Sequence, residues 1–399
     1  MSSIIKPAER TNGVTYAIRD IVVLASEVAK SGKEMLYLNI GDPNIYDHRT
    51  PQHIIEATYK AMLDNKNGYS PSSGIPEALD SIRRDAERKG INNINDIFIT
   101  TGASEAIELC LTALADAGEN VLLPTPGYPL YTAIQSKLEL IGNPYYMDED
   151  NNWEPDIDDI KKKINAKTRA IILINPNNPT GTVYSDDTLR KIIDIALEYN
   201  LIIFADEIYD KLIFEGKKHT AIASLNDEVP VITFSGMSKN YVVPGWRIGW
   251  GIASGDVSRM RTFLDALNKL LRARLCANHP MQYAIPAALD GSQTHLQSLI
   301  KTLERRRDIT MEKLATIPGI SLVKPEGSFY AFASIDVDDD MKFSAELIKE
   351  TGVVVVPGSG FGQKPGSQHF RIVILPPDDV LDKAFLRIAE FYEKYKRNN

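Results

Sequence analysis

Residues 169–174 read RAIILI, residues 201–206 read LIIFAD and residues 231–234 read VITF, and each of these short apolar runs ends at polar residues. Between the first two runs, residues 186–197 carry apolar side chains at helical spacing and acidic side chains in the first turn. Continuous apolar strands that alternate with helices are typical of a parallel sheet buried on both faces. This stretch therefore predicts an α/β fold with a mostly parallel central sheet.

The same alternation begins further upstream. Residues 96–100 (DIFIT) and 120–124 (NVLLP) predict two more strands, and residues 104–115 predict a helix between them. We therefore expect residues 51–280 to form one large domain around this sheet.

The two ends of the chain show a different pattern. Residues 281–399 are expected to form a smaller α+β domain, which the N-terminal segment, residues 1–50, joins. The elements predicted outside the large domain are helices over 18–29, 296–314 and 379–395 and short strands near 328–333 and 353–356.

Composition excludes several classes of protein. Among 399 residues the formal net charge is -8, which argues against a general nucleic-acid binder or a protein attached to an anionic membrane. No apolar run is long enough to cross a bilayer, and the start, MSSIIKPAERTNG, lacks the apolar stretch of a signal peptide. The two cysteines, Cys110 and Cys276, are too few for a disulfide framework or a zinc site. We expect a cytoplasmic protein with no metal, nucleic-acid or membrane partner.

Polar residues follow the predicted strands at the points where a ligand binds in open α/β sheets. These residues are Thr101-Gly102-Ala103-Ser104, Asn175 to Gly181, Asp206 to Tyr209, and Ser235 to Lys239 with Gly245-Trp246-Arg247. Taken singly, each has an ordinary interpretation as a turn, a helix cap or a solvated side chain. Taken together on successive strand ends, they predict one binding site.

The chemistry of this set matches pyridoxal 5'-phosphate (PLP). A lysine can form a Schiff base with its aldehyde, a carboxylate can hold its ring nitrogen protonated, and asparagine and tyrosine can bond its ring oxygen. An arginine and a helix N-terminus can bind its phosphate. Competing motifs are missing: the sequence has no Gly-x-Gly-x-x-Gly after the first strand and no phosphate-binding Gly-x4-Gly-Lys, and Asn240 stands where a hydrolase elbow needs glycine.

Several of these motifs resemble those of a known family. Residues 175–181 (NPNNPTG), 206–209 (DEIY) and 238–249, which contain SK and GWRIG, resemble the class I aminotransferases of PLP fold type I. The resemblance runs from Tyr16 to Arg371. Shorter stretches, residues 16–20 (YAIRD), 38–43 (LNIGDP) and 275–278 (LCAN), are similar to the alanine aminotransferases of bacteria and archaea.

The resemblance implies a fold of this type and a role for each matching residue. The catalytic residues would be Lys239, Asp206 and Tyr209. The cofactor would be bound by Gly102, Ala103, Ser104, Tyr128, Asn178, Asp206, Tyr209, Lys239 and Arg247, and Tyr69 would reach the phosphate in the partner subunit of a homodimer. The substrate would be bound by Gly41, Asn178, Arg371 and Tyr16. One position departs from many relatives, because Gly236 stands where they have a serine that contacts the phosphate.

The activity implied is transfer of the amino group between L-alanine and 2-oxoglutarate by a ping-pong mechanism. The alternatives on the same scaffold are an aspartate or aromatic aminotransferase and a C–S lyase. From other classes, a non-catalytic effector-binding domain would come with a basic DNA-binding segment, and a nicotinamide dehydrogenase would carry a glycine fingerprint.

Overall fold

The computed structural model describes residues 5–14 and 17–398. Within these residues the strands are β1 (Leu36–Tyr37), β2 (Ile94–Thr100), β3 (Asn120–Thr125), β4 (Ile141–Asp148), β5 (Glu154–Pro155), β6 (Thr168–Ile174), β7 (Ile202–Asp206), β8 (Val231–Gly236), β9 (Gly249–Ser254), β10 (Ile320–Leu322), β11 (Tyr330–Ile335), β12 (Val353–Val354), β13 (Val356–Pro357) and β14 (His369–Val373). The helices are α1 (Ala17–Ala29), α2 (Gln52–Leu63), α3 (Pro76–Arg88), α4 (Ala103–Leu114), α5 (Pro129–Lys137), α6 (Ile157–Lys163), α7 (Asp186–Glu198), α8 (Val257–Ala273), α9 (His279–Gln282), α10 (Ala284–Leu289), α11 (Thr294–Ala315), α12 (Asp340–Thr351) and α13 (Asp378–Asn398).

The central sheet has eight strands in the order β2-β9-β8-β7-β6-β3-β4-β5. Its middle, β8-β7-β6-β3-β4, is parallel throughout, as the alternating pattern predicts. The pairs that involve β9 and β5 are antiparallel. Asp206 pairs with Ile174 on one side and with Phe234 on the other, so β6 and β7 end together and β8 ends two residues further on.

Strand β9 returns antiparallel between β2 and β8, and it aligns three chain segments at one edge of the sheet. Gly249 at its start pairs with Thr100 at the end of β2 and with Gly236 at the end of β8. A Cβ atom on Gly249 would lie 2.2 Å from the backbone nitrogen of Ala103, so only glycine allows this approach. The start of α4 is thereby held beside the loops that follow β8.

Apolar side chains cover both faces of the sheet, which explains the unbroken apolar runs of its strands. On one face, helices α4 and α8 pack on the sheet and bury Phe98, Ile172, Phe204 and Ile232. The other face, with Ile99, Ile171, Leu173 and Ile203, packs mainly on α3 and α7. The spacing in residues 186–197 is thus confirmed as the buried face of α7.

A second, antiparallel sheet has the order β10-β11-β14-β13 and packs with α11 and α13 in a separate apolar cluster. Strand β1 pairs with β12, so residues 36–37 lie next to this sheet. Helix α10 lies instead against α2 and α3. The division into residues 1–50, 51–280 and 281–399 stays a proposal. In the described part of the chain, no helix combines the length and the apolar character needed to span a bilayer.

Candidate active site

The strand ends and the second sheet line one cleft at the edge of the central sheet. Eight of the residues predicted from the sequence line it: Ala103, Ser104, Tyr128, Asn178, Asp206, Tyr209, Lys239 and Arg247. Since they come from five separate loops, the parallel strands bring them together, as expected for the carboxyl edge of an α/β sheet.

Asp206 is the last residue of β7 and is buried at the bottom of the cleft. Its carboxylate accepts hydrogen bonds from the Tyr131 hydroxyl at 3.2 Å and from the Ile208 backbone nitrogen at 3.3 Å. Burial raises the pKa of Asp206 to about 6, although these two hydrogen bonds and the charge of Lys239 act in the opposite direction. A positively charged N–H donor against this carboxylate would be strongly favoured, because it would restore the charged form.

Lys239 lies on the loop after β8, and its Nζ donates to the backbone oxygen of Gly41 at 2.9 Å. The same Nζ lies 5.5 Å from the centre of the Phe329 ring. Gly41 must be glycine here, since a Cβ atom would lie 2.2 Å from the Tyr330 hydroxyl. The structure therefore places the predicted substrate residue Gly41 in direct contact with the predicted catalytic lysine.

The hydroxyl of Tyr209 donates to that of Tyr330 at 3.1 Å. Burial raises the pKa of Tyr209 well above its ordinary value, and Tyr330 adds to the shift, so Tyr209 keeps its proton and acts as a hydrogen-bond donor. Asn178 lies on the loop after β6 and is buried in the same wall.

The N-terminus of α4 meets an arginine at the mouth of the cleft. Arg247 donates from Nη2 to Ser104 Oγ at 3.0 Å and from Nη1 to the Pro244 oxygen at 2.9 Å. Gly102 precedes the helix with φ +80°, and a Cβ atom there would lie 2.3 Å from Arg247 Nη2. Free backbone N–H groups, the helix dipole and a guanidinium make this corner an anion site.

The structure explains why residue 236 is glycine and not serine. A Cβ atom at Gly236 would lie 2.9 Å from the Ile248 backbone oxygen, so β9 leaves no room for the serine of many relatives. The hydroxyl of Ser104 stands beside Arg247 in the same corner.

Arg371 on β14 is buried, and its Nη2 donates to the Asn39 backbone oxygen at 2.6 Å. Its Nη1 donates to Asn178 Oδ1 at 3.2 Å, which joins the second sheet to the loop after β6. The guanidinium lies 4.5 Å from the Tyr330 ring centre and 4.6 Å from that of Phe361. Two flanking rings fix the plane of a guanidinium, which suits two-point binding of a carboxylate.

Three predicted residues do not line the cleft but adjoin residues that do: the Gly41 oxygen accepts from Lys239, Arg371 donates to Asn178, and Gly102 directly precedes Ala103. Tyr69 is 83% exposed and does not line the cleft. Tyr16 lies outside the described residues. Two tyrosines that were not predicted from the sequence contact predicted residues: Tyr330, which lines the cleft, is bonded to Tyr209, and Tyr131 is bonded to Asp206. Neither belongs to a chemical motif, and only their aromatic character in helix α5 and strand β11 was available as a signal.

The residues present fit pyridoxal phosphate. A corner for an anion lies at α4, and an amine, an amide and a phenol line the wall of the cleft. Within residues 5–14 and 17–398, the hydrogen bonds to the buried carboxylate at the bottom come from neutral donors, the Tyr131 hydroxyl and the Ile208 backbone nitrogen. The buried carboxylate is the strongest indication of this cofactor, because its burial favours a cationic partner such as a protonated ring nitrogen.

Comparison with known proteins agrees with this geometry. The family described as aminotransferase class I and II matches residues 33–388. The chain is 40% identical to the glutamate-pyruvate aminotransferase AlaA of Haemophilus influenzae, with 98% of each protein covered, and 37% identical to an alanine aminotransferase of Mycobacterium tuberculosis, with 96% and 92% covered. The structure of an alanine aminotransferase from Pyrococcus furiosus superposes with a TM-score of 0.94 at 40% identity, covering 98% of this chain and 100% of that one. This agreement confirms the predicted fold, and the chain belongs to the class I and II aminotransferases.

Proposed function

We propose that the protein transfers the amino group of L-alanine to 2-oxoglutarate, giving pyruvate and L-glutamate, with PLP as its cofactor. The observation that carries the proposal is that Lys239 and Asp206 line one cleft whose wall residue Asn178 accepts a hydrogen bond from Arg371. The names of the relatives at 37–40% identity support alanine and glutamate as the substrates.

Each site residue would have a separate role in the reaction. PLP, when bound, supplies an electron sink for the negative charge that develops at the α-carbon of the amino acid. Asp206 would hold the ring nitrogen protonated, and Arg247 with the first turn of α4 would hold the phosphate. Arg371 would bind the α-carboxylate of the amino acid through two N–H groups.

Lys239 would move the proton. Its Nζ, which donates to the Gly41 oxygen, would take a proton from the α-carbon of the amino acid in one half-reaction. In the other half-reaction it would give a proton to the α-carbon of the amino acid that forms. The same residues would serve both half-reactions in turn, first with the amino acid and then with the 2-oxo acid.

The alternatives on this scaffold differ in their products. An aspartate or aromatic aminotransferase would show the same chemistry with another amino acid, whereas a C–S lyase would release ammonia and pyruvate without an acceptor oxo acid. Product analysis with L-alanine, L-aspartate, L-tyrosine and L-cysteine conjugates, each with and without 2-oxoglutarate, separates these activities.

We also propose a homodimer. Helix α2 carries an exposed apolar stripe, defined by Ile55, Tyr59, Met62 and Leu63, at the spacing of one helical face. Tyr69, also exposed, follows this helix and would reach the phosphate bound by the partner subunit. Exposed apolar stripes of this kind mark subunit interfaces. A cytoplasmic location also stays a proposal.

The test is a visible absorption spectrum of the purified protein with PLP, followed by addition of L-alanine and then of 2-oxoglutarate. We expect a band that L-alanine removes and 2-oxoglutarate restores, and the Lys239→Ala variant as control should not form this band. A band that responds only to another amino acid would overturn the choice of substrate, and the lack of any band would overturn the cofactor.

A further inference from the structure

A buried hydrogen bond joins the residues that directly follow two of the site residues. Asp210 follows Tyr209, Asn240 follows Lys239, and Asn240 Nδ2 donates to Asp210 Oδ1 at 2.7 Å. Both side chains are buried. Because β7 and β8 are neighbouring parallel strands, this bond links the two loops that leave them at the edge where the cleft lies.

The carboxylate in this bond is held charged inside the protein. Lys89 Nζ lies 2.5 Å from Asp210 Oδ2 and 2.7 Å from Asp85 Oδ2. Desolvation raises the pKa of Asp210, but Lys89 and Lys211 outweigh it, so the pKa lies below its ordinary value. The bond from Asn240 is therefore assisted by charge, which makes it stronger than a bond between neutral groups.

Asn240 is also held through its backbone. Its carbonyl oxygen lies 3.0 Å from His295 Nε2 on helix α11, and since a carbonyl can only accept, Nε2 carries the proton. Side chain and backbone of Asn240 are thus tied to different parts of the molecule.

The next turn of the same loop has an unfavourable backbone conformation. Val242 has φ +58°, in the left-handed region that a β-branched residue rarely adopts. Its carbonyl oxygen accepts hydrogen bonds from Asn44 Nδ2 at 3.1 Å and Thr50 Oγ1 at 2.8 Å. Strained backbone persists only where its surroundings hold it. The loop after Lys239 would therefore relax to another shape if its anchors were removed.

We propose that Asn240 is a positioning residue, which Asp210 and His295 hold so that the Lys239 amine stays beside the Gly41 oxygen. The inference rests on the proposed role of Lys239 as the proton-transfer group. A displacement of about 1 Å at a reacting group can cost roughly 100-fold in rate.

The test compares Asn240→Ala with Asn268→Ala in the holoenzyme. Asn268 is the control. It lies on helix α8, outside the cleft, and its Nδ2 donates to the carboxylate of Asp96 on β2 at 3.0 Å. For Asn240→Ala we expect kcat to fall roughly 10- to 100-fold with KM for L-alanine within about twofold. The pH midpoint of the visible band should shift by at least about half a unit. Asn268→Ala should also lose thermal stability but keep kcat and this midpoint.

The inference is overturned if Asn240→Ala loses thermal stability as Asn268→Ala does but keeps the kcat and the band midpoint of the wild type. If Asn240→Ala does not fold, His295→Ala takes its place, because it removes the second anchor from a half-buried position; unchanged kcat and midpoint there would also overturn the inference. A wild-type protein without the band would instead contradict the proposed function, and the inference with it.

Discussion

Asp206 is the residue whose charge the proposed chemistry depends on most. Its carboxylate is buried and would stabilise the protonated ring nitrogen of the cofactor. Asp206→Asn keeps the shape but removes the charge, so we expect kcat to fall roughly 100-fold or more. Cofactor occupancy, read from the visible band, should fall far less, because Lys239 and the anion corner at α4 remain. Turnover near that of the wild type would show that Asp206 does not have this role.

Arg371, the residue proposed to bind the substrate carboxylate, has its guanidinium held beside two aromatic rings. Arg371→Lys keeps the positive charge but loses the planar pair of donors and their stacking. We expect KM for L-alanine to rise roughly 10- to 100-fold, while the visible band of the bound cofactor stays unchanged. Steady-state kinetics with both substrates tests this; an unchanged KM would place the carboxylate site elsewhere.

Residues at strand ends were predictable because their position follows from the order of strands in the chain. Lys239, Asp206 and Asn178 were found in this way, and all three line the cleft. Tyr330 and the contact between Gly41 and Lys239 depend on how the second sheet packs over the first. No local spacing in the sequence encodes that packing.

Helix α4 contributes its N-terminus to the site only because a glycine precedes it. A Cβ atom at Gly102 would push Arg247 away from Ser104. Gly102→Ala should therefore weaken PLP binding by roughly tenfold or more, measured by titration of the apoprotein. Gly118→Ala is the control, because Gly118 has the same positive φ but open space around it. Equal affinities in the two variants would exclude α4 as the phosphate site.

At the level of elements, the apolar runs predicted the parallel centre of the large sheet and its covering helices. Strand β9 was missed, since its sequence GWGIAS contains two glycines and no continuous apolar run. Neighbouring groups leave no space for a side chain at either glycine. A Cβ atom on Gly249 would meet the start of α4, and a Cβ atom on Gly251 would lie 2.2 Å from the Phe98 ring. Tertiary contact therefore overrides strand propensity in β9.

For the whole molecule, the apolar stripe on α2 predicts the oligomeric state. Tyr59→Asp places a charge in the middle of this stripe, and an unpaired charge in a buried interface is strongly unfavourable. We expect the variant to be monomeric by light scattering and to bind PLP more weakly, since Tyr69 would no longer reach its partner. Leu386→Asp, on the exposed face of α13, is the control and should leave the oligomeric state unchanged. A Tyr59→Asp variant that stays dimeric would place the interface on another surface.

The pH dependence of stability also belongs to the whole molecule, and Glu207 is expected to set part of it. Burial raises the pKa of Glu207 to about 8 from an ordinary value of 4.5, although nearby Lys89 lowers it. Between these two pH values the folded protein holds a proton that the unfolded chain lacks, so stability falls as pH rises through this window. His219, whose pKa burial lowers to about 4, gives the opposite slope below its ordinary value of 6.5.

Glu207→Gln separates the two contributions, because glutamine does not titrate and its side-chain oxygen can still accept from the Ile222 backbone nitrogen. The stability of this variant relative to the wild type should increase from pH 5 to pH 8 by at most about 1.4 kcal/mol per pH unit. Urea unfolding of both proteins across this range measures the difference. A difference that does not change with pH would mean that Glu207 is charged in the folded protein, with Lys89 as its effective partner, because only an ionised side chain would leave the proton count of folding unaltered.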